Sequence, residues 1–154
     1  MCVDKPTKHE NLSNICAETT AMVIDLEHLK SKLLPVFSKY RNELVAAYLF
    51  GSLAEKAQTA GSDIDIAILL KDQNNERSAK SKLLIYADLC RVLQRNDVDL
   101  VMLGLSGNLI LNAKIIRNGI LLYSIEDDFR EDFELRMLHS CTDFEHQRRY
   151  AMGE

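Results

Sequence analysis

The chain has 154 residues, of which 47% are hydrophobic and 27% charged, and its formal net charge is −4 at pH 7. This composition is typical of a globular domain and excludes global disorder. No run reaches the roughly 18 apolar residues that a bilayer crossing needs, and residues 1–10 lack a secretory core, so we expect a cytoplasmic protein with no membrane partner. The acidic balance argues against direct nucleic-acid binding.

The chain contains no internal repeat, low-complexity tract or Pro/Gly/Ser-rich linker, so we expect a single domain over residues 1–154. Residues 1–20 are polar and weakly periodic, which predicts a tail or an additional helix. Residues 126–150 are predicted to form a C-terminal helix, with acidic residues early and basic residues late, as the helix dipole prefers. The apolar stripe of that helix consists of Phe129, Phe133, Met137, Cys141 and Phe144.

Three further helices are predicted from apolar residues at spacings of three and four. The first should end or kink at Pro35, and its stripe is Met22, Leu26, Leu29 and Leu33. The second has the stripe Ala79, Leu83, Ala87, Cys90 and Leu93. The third carries Leu109, Ala113 and Ile116; we expect Ser106 to cap it and Gly119 to stop it in the left-handed conformation.

Four short apolar runs predict β-strands at residues 45–50, 63–70, 98–103 and 120–123. The connection between the first two strands is too short for a crossover helix, so the sheet should contain both parallel and antiparallel neighbours. The predicted fold class is therefore α/β, of the α+β kind, with a small mixed sheet flanked by helices.

The most informative segment is GSLAEKAQTAGSDIDIAILL, which links the first two strands. The second strand opens with Asp63-Ile64-Asp65, and residues two apart on a strand point to the same side. Two carboxylates then share one space, where they repel each other unless a divalent cation lies between them. Oxygen ligands of this kind suit Mg²⁺, which takes one or two carboxylates together with substrate phosphates and water. The segment predicts a magnesium site at Asp63 and Asp65.

Gly51 and Ser52 close the first strand and are candidates for binding phosphate groups. Gly51 has no Cβ, so the backbone can approach a triphosphate closely, and Ser52 offers a hydroxyl and an N–H. An in-line displacement with two metal ions needs a further carboxylate near the attacking oxygen. The segment Asp97-Val98-Asp99 supplies two candidates. Asp99 is favoured because it lies inside a strand, whereas Asp97 lies in the preceding turn. Asp99 would orient and deprotonate an acceptor hydroxyl.

These motifs resemble a known family over residues 26–124. The strands AYLFGS, SDIDIAIL and DVDLVML and the ending I-x-x-x-G-I-L-L-Y are similar to those of the minimal nucleotidyltransferases of the DNA polymerase β superfamily. More narrowly, the chain resembles the antitoxin of HEPN–MNT toxin–antitoxin pairs. The resemblance implies a polymerase β-like fold and the transfer of AMP from ATP to a tyrosine of a HEPN ribonuclease toxin, with which the chain would form a hetero-oligomer.

The resemblance also implies roles for individual residues. Gly51 and Ser52 would bind the nucleotide phosphates, and Asp63, Asp65 and Asp99 would hold two Mg²⁺ ions and activate the acceptor. Many relatives carry a basic residue three positions after the serine, where this chain has Glu55, and Lys56 is the candidate replacement.

Two alternatives remain open at the level of sequence. A small-molecule nucleotidyltransferase, as for aminoglycosides, could use the same core, although only residues 125–154 follow the last strand and such enzymes usually add a substrate-binding domain. A non-catalytic antitoxin could block its toxin by binding alone. The second alternative predicts that loss of Asp63 or Asp65 leaves neutralisation intact.

Overall fold

The computed structural model describes residues 25–55, 61–105 and 107–153. The expected tail at 1–20, the helix residue Met22, and both Lys56 and Ser106 lie outside these ranges. The elements in chain order are α1 (Leu26–Lys39), β1 (Leu44–Phe50), α2 (Gly51–Ala54), β2 (Ile64–Leu70), α3 (Asn75–Leu93), β3 (Val98–Met102), α4 (Leu109–Asn118), β4 (Ile120–Ser124) and α5 (Asp127–Ala151).

The four strands form one mixed sheet with the order β3-β2-β1-β4. β1 pairs antiparallel with β2 and with β4, whereas β2 and β3 run parallel, joined by the crossover helix α3. This arrangement confirms the predicted mixed sheet flanked by helices. Because β2 is parallel to β3, the starts of these two strands lie side by side.

Both faces of the sheet are covered, because side chains alternate along each strand and both sets are apolar. One core lies between the sheet and α1 with α3, and the second lies between the sheet and α4 with α5. The largest buried side chains of the first core include Leu33, Phe37, Leu49, Ile66, Ile68 and Leu89. The second core includes Tyr48, Ala67, Leu69, Ile115 and Phe133. On β2, the side chains of Ala67 and Leu69 point toward the second core, and Asp65 points to the same face of the sheet.

The sequence predicted that Pro35 ends or kinks the first helix. The helix does not end there, because α1 continues to Lys39. Pro35 itself is exposed, while Val36 and Phe37 are buried in the first core. The loss of one backbone hydrogen bond at a proline is offset here by the burial of these two side chains.

The predicted apolar stripe of the helix between β2 and β3 is also wrong in its first half. Ala79, Leu83 and Ala87 are exposed, and the buried side chains of α3 include Ile85 and Leu89. The larger aliphatic side chains decide which face packs on the sheet, because they remove more apolar area from water than alanines do. Cys90 and Leu93, from the same predicted stripe, do pack against the first core.

The start of α4 depends on a different residue than predicted, and its end lies at the predicted Gly119 in a different conformation. Asn108 caps the helix rather than Ser106, with its side chain accepting a hydrogen bond from the backbone N–H of Leu111 at 3.0 Å. Gly119 follows the helix with φ −71° and ψ 153°, so the expected left-handed stop is wrong. Glycine fits for a steric reason, since a Cβ there would lie 2.5 Å from the carbonyl oxygen of Ile115.

The long helix α5 is held to the sheet by a few contacts in its first half. Phe133 and Cys141 are its buried side chains, and Phe144 of the predicted stripe is exposed. The hydroxyl of Tyr48 donates to Glu134 at 2.5 Å, and Arg130 donates to the same carboxylate at 3.0 Å. Within the described part of the chain, no helix is both long and apolar enough to cross a membrane.

Candidate active site

The end of β1 and the starts of β2 and β3 meet at one edge of the sheet. Asp65 is the register partner of Asp99 across the parallel pair and of Phe50 across the antiparallel pair. Register partners point to the same face, so the two carboxylates are neighbours on the face covered by α4 and α5. Gly51 follows directly after Phe50 and therefore lies beside them.

The charge environment of Asp65 shows that the three predicted carboxylates interact. Burial raises the pKa of Asp65 above its ordinary value, and the negative charges of Asp99 and Asp63 raise it further. Asp65 is half-buried, whereas Asp63 lies one residue before β2 and is exposed, as is Asp99. The site thus concentrates negative charge around one partly desolvated carboxylate, which a cation would relieve.

Gly51 provides the space that this carboxylate occupies. Its backbone has φ +71°, and a Cβ at this position would overlap Oδ2 of Asp65 and lie 2.9 Å from its Cγ. A side chain at position 51 is therefore disfavoured both by the backbone conformation and by the neighbouring carboxylate. The contact brings the bend after β1 directly against the start of β2.

Ser52 occupies the second position of the short helix α2, next to Gly51. Its side chain is half-buried, and the adjacent Leu53 is buried in the first core and anchors the bend. The structure therefore places Ser52 at the same sheet edge as the carboxylates. Lys56, the predicted basic residue of the site, lies outside the described residues.

The structure separates the two aspartates that compete for the third position. Asp97 is in an ion pair with Arg95, whose Nε donates to Asp97 Oδ1 at 2.7 Å, and this pair lowers the pKa of Asp97. Arg95 also donates to the backbone carbonyl of Ser62 at 3.0 Å. Asp99 instead lies beside Asp65 in register. The geometry favours Asp99 as the carboxylate available to a ligand.

Arg95 was not singled out from the sequence, although it orders the approach to the site. By bonding to both Asp97 and the carbonyl of Ser62, it ties the segment before β2 to the segment before β3. The backbone N–H of Ile64 donates to the carbonyl of Asp97 at 3.0 Å and closes the same junction. The only sequence signal is the spacing of Arg95 and Asp97, which many surface pairs share.

A second unpredicted feature is a cavity of about 160 Å³ that Gly51 helps to line. It lies between α2 and α4, and Phe50 and Ile115 form apolar parts of its wall. Lys114 and Glu55 line it as well and form an ion pair at 3.1 Å. The acidic residue at position 55 therefore has a lysine partner from α4.

The donor set can be tested against Mg²⁺. Across residues 25–55, 61–105 and 107–153, no three His, Cys, Asp or Glu side chains are arranged to hold a metal ion by themselves. Mg²⁺ does not need such a set, because it usually binds one or two carboxylates and completes its shell with water and substrate phosphates. Asp65 and Asp99 on adjacent strands, next to the open bend at Gly51, fit that mode. The joint ligation by Asp63, Asp65 and Asp99 stays a prediction.

Comparisons with known proteins give the family of the chain. Residues 31–128 match the family described as polymerase beta, nucleotidyltransferase. The comparison with curated protein sequences gave no match. Among solved structures, the chain is similar to one from a toxin–antitoxin crystal structure with AMP-PNP, with 26% identity and a TM-score of 0.65 over 80% of this chain and 95% of that one.

Two further solved structures share the fold. One contains the tri-AMPylated Shewanella oneidensis HEPN toxin in complex with its MNT antitoxin, with 24% identity and a TM-score of 0.62 over 84% of this chain and 97% of that one. The other is the toxin–antitoxin MntA–HepT, with 24% identity and a TM-score of 0.61 over 82% of this chain and 96% of that one. The solved structures that the chain resembles include these toxin–antitoxin complexes, and the chain itself belongs to the polymerase beta nucleotidyltransferase family.

Proposed function

We propose that this chain is an antitoxin that transfers AMP from ATP to a tyrosine hydroxyl of a cognate HEPN ribonuclease toxin and so neutralises it in the cytoplasm. The observation that carries the proposal is the placement of Asp99 beside Asp65, with the open bend at Gly51 against the same carboxylate. The similarity to a toxin–antitoxin chain solved with AMP-PNP supports a nucleotide substrate and a protein partner.

In the proposed reaction, Asp99 accepts the proton of the tyrosine hydroxyl as its oxygen attacks the α-phosphorus of ATP. A new O–P bond forms, the bond from the α-phosphorus to the bridging oxygen breaks, and pyrophosphate leaves. Asp99 suits this role because it is exposed, and so it is accessible to an acceptor that arrives from solvent. In-line attack requires both substrates to be held in one geometry, which the rigid β2–β3 pair supports.

Asp63 and Asp65 are the residues that would hold Mg²⁺, with Asp99 as a third ligand. When bound there, Mg²⁺ would neutralise charge on the triphosphate and on the departing pyrophosphate. Gly51 and Ser52 would bind phosphate oxygens through the backbone of the bend, and Lys56 would add the positive charge that Glu55 does not provide. The raised pKa of Asp65 supports a cation at this position, since bringing positive charge there relieves the repulsion from Asp99.

The test is a transfer assay with the full chain and its cognate HEPN protein. The two proteins are incubated with ATP labelled at the α-phosphate and with Mg²⁺, and the HEPN protein is then analysed for covalent label. We expect label on a tyrosine of the HEPN protein and its absence when EDTA is added or when Asp65→Ala replaces the chain. Label on an aminoglycoside panel but not on the HEPN protein would assign the small-molecule reaction instead.

A further inference from the structure

The outer side of β3 forms a groove that begins at Asp99. A cavity of about 360 Å³ is lined by residues 99–102 of β3, by Lys82 of α3 and by Asn108, the N-cap of α4. Lys82 lies on a helix that covers one face of the sheet, and Asn108 caps a helix that covers the other. The cavity therefore runs along the strand between two helices, and we call it the β3-edge groove.

The lining of the β3-edge groove shows that it exposes main chain. Consecutive side chains of a strand point to opposite faces, and Leu100 packs in the first core while Asp99 points to the other face. Four consecutive residues can line one cavity only when the cavity lies along the edge of the strand. In agreement with this, β3 is the last strand of the sheet order among the described residues.

The hydrogen bonds of β3 define which backbone groups point into the β3-edge groove. The N–H of Leu103 donates to the carbonyl of Ile68, and the carbonyl of Asp97 accepts from Ile64. In a parallel pair, alternate residues bond to the same neighbour, so the odd-numbered residues from 97 to 103 face β2. The N–H and C=O groups of Leu100 and Met102 therefore point outward.

These outward groups match one kind of ligand. An extended peptide satisfies a row of alternating N–H and C=O groups by adding as a further strand. Asp99 lies at the active-site end of the same groove and, by the proposed function, takes the proton of the acceptor hydroxyl. A ligand that fits both features is an extended segment of polypeptide with a tyrosine at the position that reaches Asp99.

We propose that the β3-edge groove binds the acceptor protein through an extended segment that pairs with β3 and presents its tyrosine hydroxyl to Asp99. This inference rests on the proposed function and adds the mode of substrate recognition. Main-chain pairing would orient the tyrosine without requiring a particular side chain at most positions of the segment. Lys82 and Asn108 would flank the segment from either face.

Hydrogen exchange at single-residue resolution tests the β3-edge groove. The full chain is measured alone and in complex with the HEPN protein, and the amides of Leu100 and Met102 are compared with those of Val101 and Leu103. We expect the amides of Leu100 and Met102 to exchange at least about tenfold more slowly in the complex than in the free chain. The inward-facing amides of Val101 and Leu103 should be protected in both states. The inward-facing amides serve as a matched control within the same strand.

A variant supplies a second readout. Met102→Pro removes one outward N–H and leaves the bonds to β2 in place, and edge strands tolerate proline better than central ones. We expect kcat/KM for the HEPN protein to fall about tenfold, which corresponds to the loss of one main-chain hydrogen bond. A thermal melt establishes whether the variant is folded, and if it is not, the exchange experiment decides.

The outcomes separate the two proposals. If AMP is transferred to the HEPN protein while Leu100 and Met102 exchange as fast in the complex as in the free chain, the groove assignment is wrong and the proposed function stands. Protection already present in the free chain, rising with its concentration, would assign the edge to pairing of two copies and also overturn the inference. If no AMP is transferred by the unaltered chain, the proposed function fails, and the inference fails with it.

Discussion

Gly51 lies against the carboxylate of Asp65, so closely that a Cβ at position 51 would overlap an oxygen of that carboxylate. The contact joins the bend after β1 to the start of β2, where Asp99 is the register partner of Asp65. The absence of a side chain at position 51 is therefore a condition for the carboxylate to hold its position, in addition to the backbone conformation with φ +71°.

The first prediction concerns Gly51→Ala. We expect the free energy of unfolding to fall by about 3 kcal/mol, as the sum of left-handed strain and overpacking against Asp65. Gly107→Ala is the matched control, because Gly107 has φ +64° with no atom within 4 Å of its added Cβ. It should cost about 1 kcal/mol, from strain alone. Equal losses for the two variants in denaturant unfolding would show that the contact with Asp65 does not matter.

The second prediction concerns Asp65→Asn. The pKa of Asp65 is raised in the folded chain, so its ionised form destabilises the fold above that pKa and this cost disappears as the pH falls. We expect the variant, without metal, to be as stable as the parent at pH 7 or more stable by about 0.5 kcal/mol, because water screens the half-exposed carboxylates.

The advantage of Asp65→Asn should vanish when the pH is lowered through the pKa of Asp65, since the parent then carries a neutral side chain as well. Thermal melts of both proteins in EDTA over a pH series measure this. A marked loss of stability in the variant at pH 7 would contradict the picture of repelling carboxylates.

The third prediction concerns Asp88, which joins α1 to α3. Replacing this aspartate should lower the stability of the fold, in contrast to replacing Asp65. Its carboxylate is 12% exposed and accepts hydrogen bonds from Lys39, Tyr40 and Arg91 at 2.6, 2.7 and 2.8 Å. The hydrogen bond from Lys39 is the main cause of a pKa below the ordinary value of 3.8. The stabilisation is thus present above that ordinary value and is lost as the pH falls through the lowered pKa.

We expect Asp88→Asn to lower the free energy of unfolding by about 1–2 kcal/mol at pH 7, because charge-assisted hydrogen bonds are lost. Asp143→Asn, at an exposed position of α5, should change it by less than about 0.5 kcal/mol. Denaturant unfolding at pH 7 compares the two variants. If Asp88→Asn is as stable as Asp143→Asn, the cluster does not stabilise the α1–α3 packing.

Much of the fold could be predicted from the sequence because strands that are buried on both faces consist of continuous apolar runs. Ile64–Leu70 and Leu44–Phe50 are examples, and their short connection already implied an antiparallel pair. The orientation of α3 could not be predicted in the same way. Ala79, Leu83 and Ala87 form as regular a series as Ile85 and Leu89, and only the packing on the sheet distinguishes them.

In the site, too, some features follow from the local sequence and others depend on tertiary packing. The preference for Asp99 over Asp97 followed from strand position and stays a prediction, and the ion pair that Asp97 forms with Arg95 could not be read from the sequence. The contact of Gly51 with Asp65 depends on the register between β1 and β2, which no local pattern contains. The ion pair of Glu55 with Lys114 likewise depends on how α4 packs beside α2.

The fourth prediction concerns the positive charge for the triphosphate. We expect Lys56→Ala to raise KM for ATP about tenfold, equivalent to about 1.4 kcal/mol of lost binding. Lys114→Ala should change it less than about twofold, since the charge of Lys114 is already paired with Glu55 and both are well exposed. The measurement is the ATP dependence of AMP transfer for both variants. The reverse pattern would assign the phosphate contact to Lys114.

By the proposed function, the toxin is neutralised by AMP transfer, which requires Asp65, and not by binding alone. The most direct measurement coexpresses the HEPN toxin with the unaltered chain or with Asp65→Ala, scores growth, and purifies the complex from the same cells. We expect Asp65→Ala still to copurify with the toxin while growth is lost and the toxin tyrosine is unmodified. Normal growth with an unmodified toxin would show that the chain acts by contact alone and would overturn the proposed function.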